Sequence, residues 1–310
     1  VTKRPKDEDR HAQSLSLAEA FAALDVQLGS GNDNGEPIGE PAPVFLYACG
    51  WRAGSTLLQR LIVSSQQVLM WGEPYALCGL VQMLTGASRP LLKGYPESFY
   101  PEPSELTEAA QVEIRDKLTS SWIANVHPHP KRFKRALRAL FDELYGAQAK
   151  AAGYPRFGVK EVRLGAPQAV FLKWLYPQSK AIFLVRDPRD CWRSAKAIAE
   201  NKVWDLPFGP PVTDAQSYAR LWREVADSFM HHGETSDLLF LRYEDLTGAN
   251  GANEVALIEQ HLGIETDHSV FEHRVRGFES PPQDLTAEEI ETFRSTCGPL
   301  LTHFGYDSTS

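Results

Sequence analysis

The sequence predicts an α/β protein: a three-layer α/β/α arrangement with a central parallel sheet and a mostly helical insertion. Three observations predict it. Short continuous apolar runs at Val44–Ala48, Phe157–Val162, Ala181–Val185 and Leu238–Tyr243 have the length and composition of strands buried on both faces. Helical periodicity at about 166–176, 189–201 and 214–232 separates the later runs, and such alternation builds a parallel sheet. Two of the runs end in turns that open a helix, the layout of ligand sites at the carboxyl edge of an open sheet.

Along the chain, residues 1–14 carry charges of both signs and read as flexible. Residues 15–28 fit a short amphipathic helix, and the Gly-, Asn- and Pro-rich segment 29–41 is a linker. The main domain is then 42–310. After the first strand, Leu57, Leu58, Leu61 and Ile62 mark one apolar helix face. Val68–Trp71 is a second short strand, closing at Gly72-Glu73-Pro74. Residues 76–150 contain a Pro-rich stretch and helical patterns such as Phe133–Tyr145, and are expected to form a helical insertion that binds the acceptor. Near the end, Ile290, Phe293 and Cys297 mark a helix face, and Pro299 is expected to restart a shorter helical turn.

The formal net charge of −8 and the pI of about 5.6 argue against a protein that coats nucleic acid. A small anionic ligand is compatible with that charge, because a few local arginines suffice to bind it. The four cysteines (Cys49, Cys78, Cys191, Cys297) show no metal-ligand spacing and read as reduced thiols of a cytoplasmic protein. Glu19, Asp25 and Gln27 interrupt the apolar patch near the N-terminus, so no export signal is expected. No apolar window is long enough to span a membrane.

Residues 49–58 read C-G-W-R-A-G-S-T-L-L, directly after the first strand. A strand entering a Gly-rich turn that opens a helix is a P-loop-like phosphate cradle. The nucleotide-binding form has a lysine immediately before its hydroxyl residue. Here Gly54 holds that slot, and the cation is Arg52, upstream. A second junction follows Ala181–Val185, where Arg186 ends the strand, Asp187 fits an N-cap and Pro188 the first helical position. Ser194 lies eight residues after Arg186. Read alone, Arg186 is equally a surface ion-pair partner and Ser194 a neutral helix residue.

Together, Arg52-Ala53-Gly54-Ser55-Thr56 and Arg186…Ser194 resemble the sulfotransferases that use 3′-phosphoadenosine-5′-phosphosulfate (PAPS, product PAP). In that family the first loop holds the 5′-phosphosulfate, and the later Arg and Ser hold the 3′-phosphate. The resemblance covers roughly residues 43–306. Glu73 lies 21 residues after Arg52, at the position of the catalytic base in the tyrosylprotein sulfotransferase branch. Ser179-Lys180, Tyr243-Glu244-Asp245-Leu246 and Phe304-Gly305-Tyr306-Asp307 are similar to that branch as well, and many bacterial members share these features. Trp51 in place of a frequent Pro, and Pro74 after Glu73, depart from the pattern on the acceptor side.

The resemblance implies in-line sulfuryl transfer to an acceptor hydroxyl, on a small molecule, lipid or glycan. Amides from Ala53 to Leu57 and the Ser55 and Thr56 hydroxyls would cradle the 5′-phosphate. Arg52 would stabilise the sulfuryl group, Glu73 would take the acceptor proton, and Lys160 would reach the reacting centre, with no metal required. Arg186 and Ser194 would bind the 3′-phosphate, with Tyr243 and the loop of Arg274 and Arg276 as further contacts. Each has a plainer alternative: a surface or capping Glu73, a structural ion pair of Lys160 with Glu161 or a neighbour, a core Tyr243 and a solvated 274–277 loop. His127 and His129 read as loop residues. Trp51 and Trp192 fit either ligand stacking or core packing. The other functional classes are a P-loop phosphotransferase using ATP and Mg²⁺, and a non-catalytic PAP-binding sensor.

Overall fold

The computed structural model describes residues 19–21, 42–75, 78–93, 108, 130–199, 211–232, 237–272 and 284–306. Five strands form one sheet: β1 (Val44–Ala48), β2 (Val68–Gly72), β3 (Arg156–Glu161), β4 (Lys180–Val185) and β5 (Leu238–Arg242). Their order is β2-β3-β1-β4-β5, and every pairing is parallel. β1 is therefore central. Val44 lies opposite Gly158 on one side and Lys180 on the other.

Burial follows position in the sheet. Each residue of β1 is at most 2% exposed, as expected of a strand covered on both faces. The edge strands β2 and β5 are only partly covered. β3 is shifted by one residue from the apolar run, because Arg156 joins the ladder and Val162 leaves it. The last run ends earlier than its composition predicts. Tyr243 starts helix α8 (Tyr243–Thr247) instead of extending β5.

Helices cover both faces of the sheet. α1 (Ser55–Ser64) follows β1 and buries Leu58, Leu61 and Ile62. The insertion contributes α2 (Leu80–Ser88), α3 (Pro130–Phe141), a π-helical turn over Asp142–Gly146, and α4 (Ala147–Ala151). Of the insertion, residues 76–77, 94–107 and 109–129, which include His127 and His129, lie outside the described residues. α5 (Ala166–Leu175) and α6 (Pro188–Ala199) complete the β3–β4 and post-β4 connections. α7 (Ala215–His232) buries Tyr218, Ala219, Trp222, Val225, Ala226 and Phe229, one face at helical spacing. Phe229 stacks on Phe183 of β4 at 4.2 Å between centroids and lies 5.4 Å from Tyr47 of β1. Within the first 41 residues, 19–21 form a helical turn whose Phe21 is 2% exposed, against Trp174 and Phe171.

The C-terminal helix departs from expectation. After α9 (Gly251–Leu262), α10 runs unbroken over Ala287–His303, with Pro299 inside it. Phe293, Cys297 and Leu301 are buried at four-residue spacing, and Cys297 Sγ donates to Ala219 O of α7 at 3.4 Å. That packing outweighs the one hydrogen bond a proline removes. Ile290 lies on the same stripe in the first turn but is 36% exposed, so the buried part of the face begins at Phe293. No described helix is long and apolar enough to cross a membrane.

Candidate active site

The sheet order reverses about β1, so the loops leaving β1, β2, β3 and β4 meet above their carboxyl ends. The turn after β1 is wound tightly. Gly50, Arg52 and Gly54 all have left-handed backbones, with φ of 84°, 66° and 90°. For Arg52 this conformation costs about 1–3 kcal/mol and persists only when the surroundings impose it. Three bonds impose it. Gly50 N donates to Val162 O at 3.2 Å, Tyr218 OH to Trp51 O at 2.5 Å, and Arg186 Nη1 to Arg52 O at 3.0 Å.

Gly54 is required for space as well as for backbone. A Cβ there would sit 2.2 Å from Cδ2 of Tyr243. Gly54 is also the N-cap of α1 and supplies no side chain, so the Ser55 and Thr56 amides at the helix start have no partner within the helix. The Leu57 amide differs, closing the first turn onto Gly54 O at 2.9 Å. The Ala53 side chain is fully buried, which anchors the turn.

Arg52, Arg186 and Ser194 come together. Arg52 Nε donates to Ser194 Oγ at 3.0 Å, and the Arg186 guanidinium lies 4.4 Å from the Tyr243 ring centre. Among the described residues neither arginine pairs with a carboxylate, and the buried Arg186 Nε has no partner. Burial, and then the neighbouring Arg186, lower the Arg52 guanidinium from its ordinary pKa. Two crowded cations beside exposed helix-start amides form a site suited to an anion.

The second junction is built on Asp187, whose Oδ1 accepts the Arg189 amide at 2.8 Å as an N-cap. Glu244 holds it from the other side. Its Oε1 accepts the Asp187 amide at 3.1 Å and its Oε2 the Tyr306 hydroxyl at 2.9 Å. Glu244 and Tyr306 thus join the Tyr243–Leu246 segment to the end of the described chain beside Asp187. Ser179 and Lys180 lie instead at the start of β4, where Lys180 pairs with Asp237.

Glu73 follows β2 with φ of 51°, its amide bonded to Lys160 O at 2.8 Å. Its Oε1 pairs with Lys160 Nζ at 2.9 Å, and its Oε2 lies 3.7 Å from Arg163 Nη2. The ion pair weighed for Lys160 exists, and its partner is Glu73, not Glu161. Arg163 Nη2 also binds Glu161 Oε1 at 3.1 Å.

A cavity of about 1030 Å³ joins these groups, lined by Arg52, Gly54 to Leu57, Glu73, Arg186 and Tyr243. Its far wall, which the sequence did not reveal, is formed by Arg60, Thr247, Gly248, Val255, His268 and Phe271. Gly248 and Gly251 were the available signal there: a Cβ on either would meet backbone oxygen at 2.7 or 2.6 Å. Trp51 lines the cavity, whereas Trp192 is in the core and donates to Glu289 at 2.8 Å. Arg274 and Arg276 lie outside the described residues.

No curated protein matches the sequence. Among solved structures, a sulfotransferase from Alicyclobacillus acidocaldarius is 14% identical over 86% of this chain and 96% of its own, with a TM-score of 0.43. A sulfotransferase domain from the curacin biosynthetic pathway is 14% identical over 86% of this chain and 98% of its own, at 0.42. A sulfotransferase from Mycobacterium avium is 15% identical over 93% and 83%, at 0.38. The family model described as "Sulfotransferase family" matches residues 43–268, well over half of the chain and including both strand-to-helix junctions, so the chain belongs to the sulfotransferase family.

Proposed function

We propose that the protein transfers a sulfuryl group from PAPS to an acceptor hydroxyl. One observation carries this reading: Arg52, Arg186 and Ser194 converge beside the α1 start with no carboxylate to neutralise the arginines among the described residues. A ligand with two separated anionic groups answers that arrangement, and a loop with Gly54 in the lysine slot does not favour a Mg²⁺–triphosphate.

In this reading the Ser55 and Thr56 amides and hydroxyls hold the 5′-phosphate, and Arg186 and Ser194 hold the 3′-phosphate. PAPS supplies the activated sulfuryl group. Arg52 offsets the negative charge that grows on the leaving 5′-phosphate oxygen. The acceptor oxygen forms the new bond to sulfur, the sulfur–phosphate bridge breaks, and Glu73 receives the acceptor proton. Lys160, 2.9 Å from Glu73, holds that carboxylate against β3.

The test is transfer of label from ³⁵S-PAPS to a panel of phenols, alcohols and glycans and to a cell extract, with the product identified by mass spectrometry. A sulfated product that disappears with Glu73→Gln supports the assignment. Tight PAP binding without transfer to any acceptor or extract component indicates a PAP sensor. Preference for ATP–Mg²⁺ over PAP indicates a phosphotransferase.

A further inference from the structure

Arg163 had no role in the sequence reading and Glu161 entered it only as a structural partner for Lys160, yet the two form a buried charged pair against Glu73. Their side chains are 4% and 5% exposed. Glu161 ends β3 and is fixed twice, accepting the Val162 amide at 3.1 Å and Arg163 Nη2 at 3.1 Å. Arg163 is held on its other side by Trp51, its guanidinium carbon 5.9 Å from the ring centre. The same Nη2 faces Glu73 Oε2 at 3.7 Å, and Arg163 Nε is buried with no partner among the described residues. One nitrogen is thus shared unequally between two carboxylates, with the closer contact going to Glu161.

We propose that Glu161 and Arg163 are positioning residues for Glu73: Glu161 restrains the Arg163 guanidinium, so that it orients the second oxygen of Glu73 without fully neutralising that carboxylate. The inference rests on the reading of Glu73 as the proton acceptor. A full ion pair on both Glu73 oxygens would orient the carboxylate and also suppress its capacity to take a proton. Lys160 already holds Oε1 at 2.9 Å. Diverting Arg163 toward Glu161 leaves Oε2 the freer oxygen, on a side chain that lines the cavity.

Charged and titratable groups from several elements lie around the Glu73, Arg163 and Glu161 cluster. Lys160, Glu161 and Arg163 come from β3 and the turn after it, Arg52 and Arg60 line the cavity from the β1 turn and α1, and Tyr145 approaches from the π-helical turn. Burial raises the pKa of Glu161, and the adjacent Arg163 opposes that rise. Burial, then Tyr75, then Glu161 push the Tyr145 hydroxyl up to about 12, so it stays neutral near pH 7.

The two halves of the pair make opposite predictions. Glu161→Gln, a near-isostere, frees Arg163 to close on Glu73. Arg163→Gln leaves Glu73 and Glu161 facing each other without the cation between them. The acid limb of kcat/KM against pH is expected to move down in Glu161→Gln and up in Arg163→Gln, each by about one pH unit. Arg163→Lys, which keeps the charge, is expected to restore most of the displacement seen in Arg163→Gln. The Glu73 side-chain carboxyl ¹³C signal, assigned by its loss in Glu73→Gln, is expected to titrate with the same opposite displacements, and this readout needs no turnover. If Glu73→Gln keeps full activity, the base assignment fails while the titration still tests the pair. Displacements of the same sign, an unmoved titration in folded variants, or no recovery in Arg163→Lys would overturn the proposal.

Discussion

Arg52 Nε donates to Ser194 Oγ at 3.0 Å, joining the turn after β1 to the helix after β4 across 142 residues of sequence. The bond ties the two ends of the proposed PAP site together. Ser194→Ala removes the acceptor for Arg52 and a donor to the 3′-phosphate. Calorimetry is expected to show PAP binding weakened by about 0.5–1.5 kcal/mol, with adenosine 5′-phosphosulfate little affected. An equal loss for both ligands contradicts the placement of Ser194.

Gly54 lies against Tyr243, and its φ of 90° is a left-handed conformation. Gly54→Ala is expected to lower stability by about 1–3 kcal/mol and to impair PAP binding. Combining it with Tyr243→Ala relieves the clash and leaves the backbone strain. Chemical denaturation of the two single variants and the double variant should therefore give a non-additive cycle. Strict additivity would mean that the ring and Gly54 do not constrain each other.

Glu73→Gln keeps the size of the side chain and removes its capacity to accept a proton. The expected fall in kcat is about 10²–10⁴-fold, with PAP affinity unchanged by calorimetry. Unaltered turnover assigns the base elsewhere.

Burial separates the four thiols. Cys78 is exposed, whereas Cys49, Cys191 and Cys297 are buried. Burial pushes the Cys191 and Cys297 thiols up to about 12 and the Cys49 thiol well above its ordinary value. Iodoacetamide at pH 8 is expected to modify Cys78 alone in the native protein and all four cysteines after denaturation. Rapid native labelling of Cys191 would place α6 less firmly against the core than its burial indicates.

The sheet was readable because a strand buried on both faces must be continuously apolar, and β1 spans the residues that its composition marks. Segment ends were less readable. Tyr243 fits a strand by composition, but the turn into α8 places its ring over Gly54. Pro299 carries a helix-breaking signal that the packing of α10 on α7 overrides. At the site, the meeting of Arg52, Arg186 and Ser194 was expected from the resemblance of the two strand-to-helix junctions to the sulfotransferase motifs. The relation of Arg163 and Glu161 to Glu73 was not, because it arises from the pairing of β2 with β3 and not from adjacency in sequence. The far wall of the cavity was hidden for the same reason: Thr247, Val255 and Phe271 belong to separate segments that only the fold brings together.

The most direct test compares PAP with adenosine 5′-phosphosulfate by calorimetry, on the native protein and on Arg186→Ala. Arg186 directly follows β4, beside Tyr243, with a buried nitrogen left unpartnered among the described residues. The account predicts that Arg186→Ala weakens PAP by about 1.5–3 kcal/mol for each charge-assisted hydrogen bond lost and leaves adenosine 5′-phosphosulfate nearly unchanged. Equal losses for the two ligands, or a native protein that binds ATP–Mg²⁺ more tightly than PAP, would contradict it.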